Sequence, residues 1–260
     1  MEEKNKILVV GMGVTGENVY CELRNAFKPD TYDIKSSNKE RKYDKYDFIF
    51  ICVDTPYINE DNPCDLTQVK NAINKWKSNL TTGGVFVIKS TILPSLIDTL
   101  SELNVPIVYS PEYYGNTQHC NNFEFNFTIL GGEGSYPYKV QQLLQKVKDA
   151  RHTFRIVDEK TACLVKYMEN CYLAVKVSFC SQFFNIAKEI GVNYEDLREL
   201  FILDPRINPS HTFVYRDKPY WDSHCLNKDV QALTDTYDAE LLKSIIKFNN
   251  IQKNEKLFNK

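Results

Sequence analysis

Apolar residues are spaced differently in the two halves of this chain. In the first half, short apolar runs alternate with stretches of helical spacing. KILVV, residues 6–10, is one such run, and it ends in the glycine-rich GMGVTG. Val19, Leu23 and Phe27 then recur at three to four residues, the spacing of a helix face. Residues 31–34 predict a second strand. Residues 46–53, YDFIFICV, form the continuous apolar run expected of a strand buried on both faces. Residues 65–80 place Leu66, Val69, Ile73 and Trp76 on one helical stripe, with Asp65 as its cap. Further along, the pattern predicts strands at 84–89, 106–109, 127–130 and 152–157. It predicts helices at 93–103, opened by Pro94, and at 138–148. Strands alternating with helices imply an α/β fold, an N-terminal Rossmann-type doubly wound parallel sheet over residues 1–157.

The second half is helical. Residues 159–190 contain neither glycine nor proline, and Val165, Met168, Tyr172, Val175, Phe179, Phe183, Ile186 and Ile190 follow one another at steps of three or four. A helix over this span is about 48 Å long at ~1.5 Å per residue, and Gly191 is placed to end it as a left-handed residue. A small helical domain cannot cover so long an apolar stripe, so a homodimer built across the 159–190 helix is expected. Lys166 and Asn170 stand one turn apart on a face beside that stripe. They are either a solvated pair or two hydrogen-bond donors aimed into a cleft. A short helix at 194–201, a proline-containing loop at 204–211, a helical stretch at 230–248 and a fraying polar tail complete an all-α domain, residues 158–260, with the long helix at its centre.

Composition narrows the class without changing this outline. The 260 residues are 43% hydrophobic and 25% charged, ordinary for a soluble protein. A net charge of -2 argues against binding nucleic acid through phosphate contacts. No apolar run approaches the roughly 18 residues of a membrane span. The N-terminal MEEKNK does not read as a signal peptide, so a cytoplasmic chain is expected. The eight cysteines, at 21, 52, 64, 120, 163, 171, 180 and 225, are scattered, with none in C-x-x-C spacing. That spacing suggests neither zinc nor disulfides, and the ordinary expectation for each is a small buried thiol.

The candidate chemistry begins at the glycine turn. Gly11, Gly13 and Gly16 form G-x-G-x-x-G between a strand and a helix, the context in which that pattern binds a dinucleotide. The first glycine makes the turn, the second admits a pyrophosphate, and the third lets helix and strand pack closely. Asp33, at the end of the second predicted strand, is suited to the adenosine ribose hydroxyls and favours NAD over NADP, although Lys35 and Ser36 beside it pull the other way. Ligands of such sheets sit at the carboxyl ends of strands. There the chain carries DTP (Asp54, Thr55, Pro56), KST (Lys89, Ser90, Thr91) and SPE (Ser110, Pro111, Glu112). Val53, Thr55 and Thr91 are accordingly candidate cofactor contacts.

The ordered series GMGVTG, CVDTP, VIKSTILP, YSPEYYGN, VKYMENCYLAVKVSF, DPRI and CLNKDVQAL resembles the UDP-glucose/GDP-mannose dehydrogenase family over nearly the whole chain. The resemblance implies an NAD-dependent enzyme that oxidises the C6 alcohol of a nucleotide sugar to a carboxylate in two hydride steps. It also implies a place in nucleotide-sugar metabolism and polysaccharide biosynthesis. By the same resemblance Cys225 is the nucleophile, passing through a thiohemiacetal and a thioester. Lys166 and Asn170 stabilise the oxyanion and touch the substrate. Asp229 works with an ordered water as general base, Thr91 helps hold that water, and Glu112 is linked to thioester hydrolysis. Lys228 stands beside the cofactor, and Arg206 is the substrate-binding arginine of the D-x-R-I pattern. The chain also departs from the family pattern. Asp222, Ser223 and His224 stand where glycines precede the cysteine, and Asn227 where a proline follows it. Asn116 and Cys163 each replace an acid. The chain is expected to stop where a second Rossmann-like, nucleotide-gripping domain begins. Two other readings remain open at this point: an NAD-binding family member without catalysis, and a dehydrogenase of a smaller hydroxy acid on the same two-domain plan.

Overall fold

The computed structural model describes residues 5–35, 43–113 and 125–258, with side chains through residue 254. Ser36, Asn116 and Cys120 lie outside the described residues. Seven strands form one sheet: β1 (Ile7–Val10), β2 (Asp30–Tyr32), β3 (Tyr46–Ile51), β4 (Leu80–Ile88), β5 (Ile107–Tyr109), β6 (Phe127–Gly131) and β7 (Thr153–Val157). Their order is β2-β1-β3-β4-β5-β6-β7. Neighbours are parallel except β5 and β6, which pair antiparallel through Tyr109 and Gly131. The order reverses between β1 and β3, the switch point at which open sheets bind ligands. Helices α1 (Val14–Leu23), α2 (Thr67–Trp76), α3 (Ile97–Ser101) and α4 (Tyr136–Leu144) connect the strands. The 93–103 segment is not one helix: a 3-10 turn at Pro94–Leu96 precedes the short α3. The core of this part is the apolar strand interior, Ile7, Val9, Phe50, Val85 and Val87, packed on Val19 and Leu23 of α1 and Leu143 of α4.

The chain divides into two compact units, Met1–Pro56 with Cys64–Lys166, and Tyr57–Pro63 with Tyr167–Lys260. Helix α5 (Glu159–Glu189) is unbroken for 31 residues, about 46 Å. It ends as expected, with Gly191 at φ 75° and the Val192 N–H bonded to the Ala187 carbonyl at 2.8 Å. The side it buries lies beside the apolar stripe. Ala162, Cys163, Lys166, Tyr167, Asn170, Cys171, Ala174, Ser178 and Ser181 are buried. Most of the large apolar stripe faces out: Met168 is 72% and Ile190 68% exposed, with Tyr172, Phe179, Phe183 and Ile186 also exposed. The small side chains at Ala162, Cys163, Cys171, Ala174, Ser178 and Ser181 let neighbouring elements approach α5 closely at those positions.

Helix α6 (Tyr194–Phe201) follows, capped by the Asn193 side chain. The single helical stretch expected at 230–248 is instead two helices, α7 (His224–Thr236) and α8 (Glu240–Phe258). The Ser223 hydroxyl accepts the Leu226 N–H and starts α7 ahead of its apolar positions. The expected fraying tail is also corrected. Helix α8 runs on because Asn249 and Gln252 are buried and hydrogen-bonded to Trp221 and Asn185.

The closeness of the glycine turn yields a stability prediction. A Cβ on Gly16 would lie 1.8 Å from the backbone oxygen of Gly11, which cannot move without breaking the turn. Gly16→Ala should therefore destabilise the protein by about 3 kcal/mol, read as a lowered urea midpoint. An unchanged midpoint would mean the turn is not under this constraint.

Candidate active site

In the first unit, Gly11 takes φ 87°, and a Cβ there would meet the Cys52 carbonyl oxygen at 2.6 Å. The turn therefore admits only glycine at that position. Gly13 is different: a Cβ there meets nothing within 4 Å. The open space lies before the N-terminus of α1, where unbonded amides and the helix dipole attract a phosphate. Asp33, just past β2, accepts the Met12 N–H at 2.8 Å and the Lys35 N–H at 2.8 Å. The Met12 bond first, then the Lys35 bond, hold its carboxyl below the usual range. The stabilisation this implies is present above the ordinary carboxylate pKa and is lost as pH falls through the lowered one. Each carboxylate oxygen retains a lone pair for a sugar hydroxyl. The turn and Asp33 thus fit a dinucleotide's pyrophosphate and adenosine ribose. The glycines stand where β1 passes into α1, and Asp33 follows β2.

The strand ends are joined to this turn. Val53 Cγ1 lies 3.0 Å from the position a Gly11 Cβ would take, and the Val53 carbonyl accepts the Ser90 hydroxyl at 2.6 Å. The buried Thr55 donates its hydroxyl to the Thr91 carbonyl at 2.6 Å. Further along, Lys89 Nζ sits 3.1 Å from Glu112 Oε2 and 3.3 Å from Ser110 Oγ. Lys89 was not among the expected site residues, although its place in KST beside SPE was the available signal. Lys166, 8% exposed, holds its ammonium 4.7 Å from the centroid of the Tyr113 ring. The solvated reading of the Lys166–Asn170 face is overturned, because burial of the first turns of α5 takes both side chains out of water.

In the second unit, Asn170, 4% exposed, donates from Nδ2 to Asp229 Oδ2 at 2.6 Å. Asp229, 1% exposed, takes Lys228 Nζ on its other oxygen at 2.6 Å. A carboxylate only accepts, so the amide orientation of Asn170 is set, and its second N–H remains for another acceptor. Cys225 and Asp229 stand four residues apart on α7, one turn along the same face. Cys225 is exposed on the first turn of that helix. Four buried thiols differ. Burial pushes Cys52 up to about 12, and burial with the nearby Asp229 charge pushes Cys171 up to about 12. Burial also raises Cys163 and Cys180. Such thiols are poor nucleophiles. Arg206 is not gathered with these groups: its side chain is 86% exposed and forks onto Asp204, with Nη2–Oδ2 at 2.6 Å. Among the described residues no cluster of potential metal ligands is present, and no helix is long and apolar enough to cross a membrane.

Comparison with known proteins brings in sequence relationships. The profile of the UDP-glucose/GDP-mannose dehydrogenase family, NAD binding domain, matches residues 22–147, and that of the family's central domain matches residues 160–251. A UDP-N-acetyl-D-mannosamine dehydrogenase of Methanocaldococcus jannaschii is 28% identical over 221 residues, covering 81% of this chain and 50% of that protein. A UDP-glucose 6-dehydrogenase of Rickettsia prowazekii is 26% identical over 246 residues, covering 88% of this chain and 55% of that protein. The solved UDP-D-ManNAc dehydrogenase of Pyrococcus horikoshii superposes with a TM-score of 0.78 at 21% identity, over 95% of this chain and 68% of that one, a likeness of fold. The chain spans about half the length of the curated relatives it matches.

The open space at Gly13 separates binding from stability. Gly13→Ala should weaken NAD binding about tenfold or more, at least ~1.4 kcal/mol by calorimetry. The unfolding free energy should change by less than about 1 kcal/mol. Unchanged NAD affinity would show that the pyrophosphate does not lie against this glycine.

Proposed function

Since this chain belongs to the UDP-glucose/GDP-mannose dehydrogenase family of NAD-dependent nucleotide-sugar dehydrogenases, we propose that it oxidises the C6 alcohol of a UDP-glucose-like sugar nucleotide to the carboxylate. The observation that carries the reading is the buried network in which Asn170 of α5 and Lys228 of α7 both bond Asp229 of α7, the helix that also presents the exposed Cys225. NAD, when bound, supplies the hydride acceptor for both oxidations. The residues of the chain do the rest. Lys166 and the second N–H of Asn170 donate to the substrate oxygen as charge builds on it. The Cys225 thiolate adds to the aldehyde carbon to give a thiohemiacetal, and loss of the second hydride leaves a thioester. Water then adds to the thioester carbon and gives up a proton to a carboxylate, Asp229 or Glu112. The C–S bond breaks, and the thiolate is restored as the acid leaves. One alcohol and one water thus become one carboxylate, with two hydrides transferred and three protons released.

The test is NADH formation with UDP-glucose and UDP-N-acetylmannosamine as substrates. Wild type should form two NADH per sugar, and Cys225→Ser should lower carboxylate formation at least about a hundredfold. Full activity in Cys225→Ser would remove the thioester route. NAD binding without turnover of either sugar would favour a non-catalytic member.

We also propose that a second copy of this chain covers the exposed stripe of α5. Tyr172, Phe179, Phe183, Ile186 and Ile190 recur along one side of a helix, and a two-fold axis would set that face against itself. Sedimentation should give a dimer at micromolar concentration, and Phe183→Asp should give a monomer. A monomeric wild type would overturn this reading.

A further inference from the structure

The loop before Cys225 carries WDSH where the family resemblance puts glycines, and within the second unit it is tied down residue by residue. Trp221 is buried. Its backbone N–H donates to Asn249 Oδ1 at 2.9 Å, and Asn249 Nδ2 returns a bond to the Trp221 carbonyl at 3.0 Å. Its indole N–H donates to the buried Ser178 hydroxyl of α5 at 3.0 Å. One asparagine side chain therefore satisfies both backbone groups of the loop residue, as a neighbouring strand would. The Asp222 carboxylate accepts Asn227 Nδ2 at 2.8 Å and Lys253 Nζ at 2.9 Å, with Lys218 Nζ at 3.7 Å. The Asn227 bond first, and that of Lys253 second, hold its carboxyl below the usual range. Asp222 and Asn227 are both departures from the family pattern, and they bond to each other. Asn249 and Lys253 are four residues apart, on one face of α8.

We propose that α8, through Asn249 and Lys253, is the positioning element for the Cys225 thiol. The two side chains hold Trp221 and Asp222, and Asp222 in turn bonds Asn227 in the first turn of α7. A glycine loop takes many backbone conformations; this one is held in place by side chains of another helix. Asn249 and Lys253 are positioning residues and take no part in bond making. The inference rests on the proposed role of Cys225 as nucleophile, but its test does not require turnover.

The measurement is the alkylation rate of Cys225 by iodoacetamide in the folded protein, followed by peptide mass spectrometry. Cys21, also exposed but on α1, serves as the internal reference. An exposed thiol reacts through its thiolate, which the ordered amides of a helix N-terminus favour. Loosening the first turn should therefore slow Cys225. Asn249→Ala should lower the Cys225-to-Cys21 rate ratio at least about threefold. Lys253→Met should lower it less, and Lys253→Arg, which keeps the ion pair, should restore it. An unchanged ratio in a folded Asn249→Ala protein would overturn the proposal, as would a Lys253→Arg protein no better than Lys253→Met. If Asn249→Ala does not fold, the half-exposed Lys253 pair decides alone. A shifted ratio in a protein that turns over no sugar would count against the proposed reaction and leave the positioning role standing.

Discussion

Much of the second unit is organised by one buried carboxylate. Asp229 lies at 1% exposure, and an ionised carboxylate taken out of water costs several kcal/mol unless its oxygens are bonded. Here each oxygen has one short partner, Asn170 from α5 and Lys228 from its own helix. The pairing limits how α7 can slide or rotate against α5, because a small shift would strand a buried charge. Cys171, Ala174, Leu226 and Val230 pack around the same junction and exclude water from it. The apolar contacts provide most of the adhesion, and the polar pair selects the register.

That constraint also explains the arrangement of α5. The buried side of the helix must bring Lys166 and Asn170 to their neighbours, so apart from Tyr167 it carries small or polar side chains at the surrounding positions. Bulk there would hold α7 too far away for a 2.6 Å bond to Asp229. The large apolar residues are consequently displaced to the outer face. An apolar stripe read from spacing alone is ordinarily assigned to the core. On this helix it marks instead the side that the chain's own core does not use.

What the sequence revealed, and what it concealed, follows from the range of the interactions involved. The glycine turn was legible because its constraints are local: Gly11 needs a positive φ, and Gly16 must meet the Gly11 carbonyl a few residues away. The strand runs and the end of α5 at Gly191 were legible for the same reason. The start of α7 was hidden, because only the Ser223 cap marks it and the apolar pattern begins later. The break between α7 and α8 carries neither glycine nor proline; Tyr237 simply turns extended, at φ -129° and ψ 157°. Lys89 was passed over because its meaning depends on Glu112 of another strand end. Arg206 was assigned by pattern, and the structure pairs it with Asp204 on the surface.

The cysteines among the described residues show how far burial can decide chemistry. Composition and spacing alone do not separate them. In the structure, Cys52 and Cys171 are pushed up to about 12 by enclosure, and Cys163 and Cys180 are raised for the same reason. A thiol held protonated in this way is not a nucleophile. Cys21 and Cys225 are exposed, so exposure alone does not separate them. Their surroundings do: Cys225 lies on a capped helix start, one turn from a buried Asp229 bonded on both oxygens, while Cys21 lies in the last turn of α1. The setting of Cys225 is therefore made by the second unit, by the Asp229 junction one turn along the same helix and the bonded loop before it.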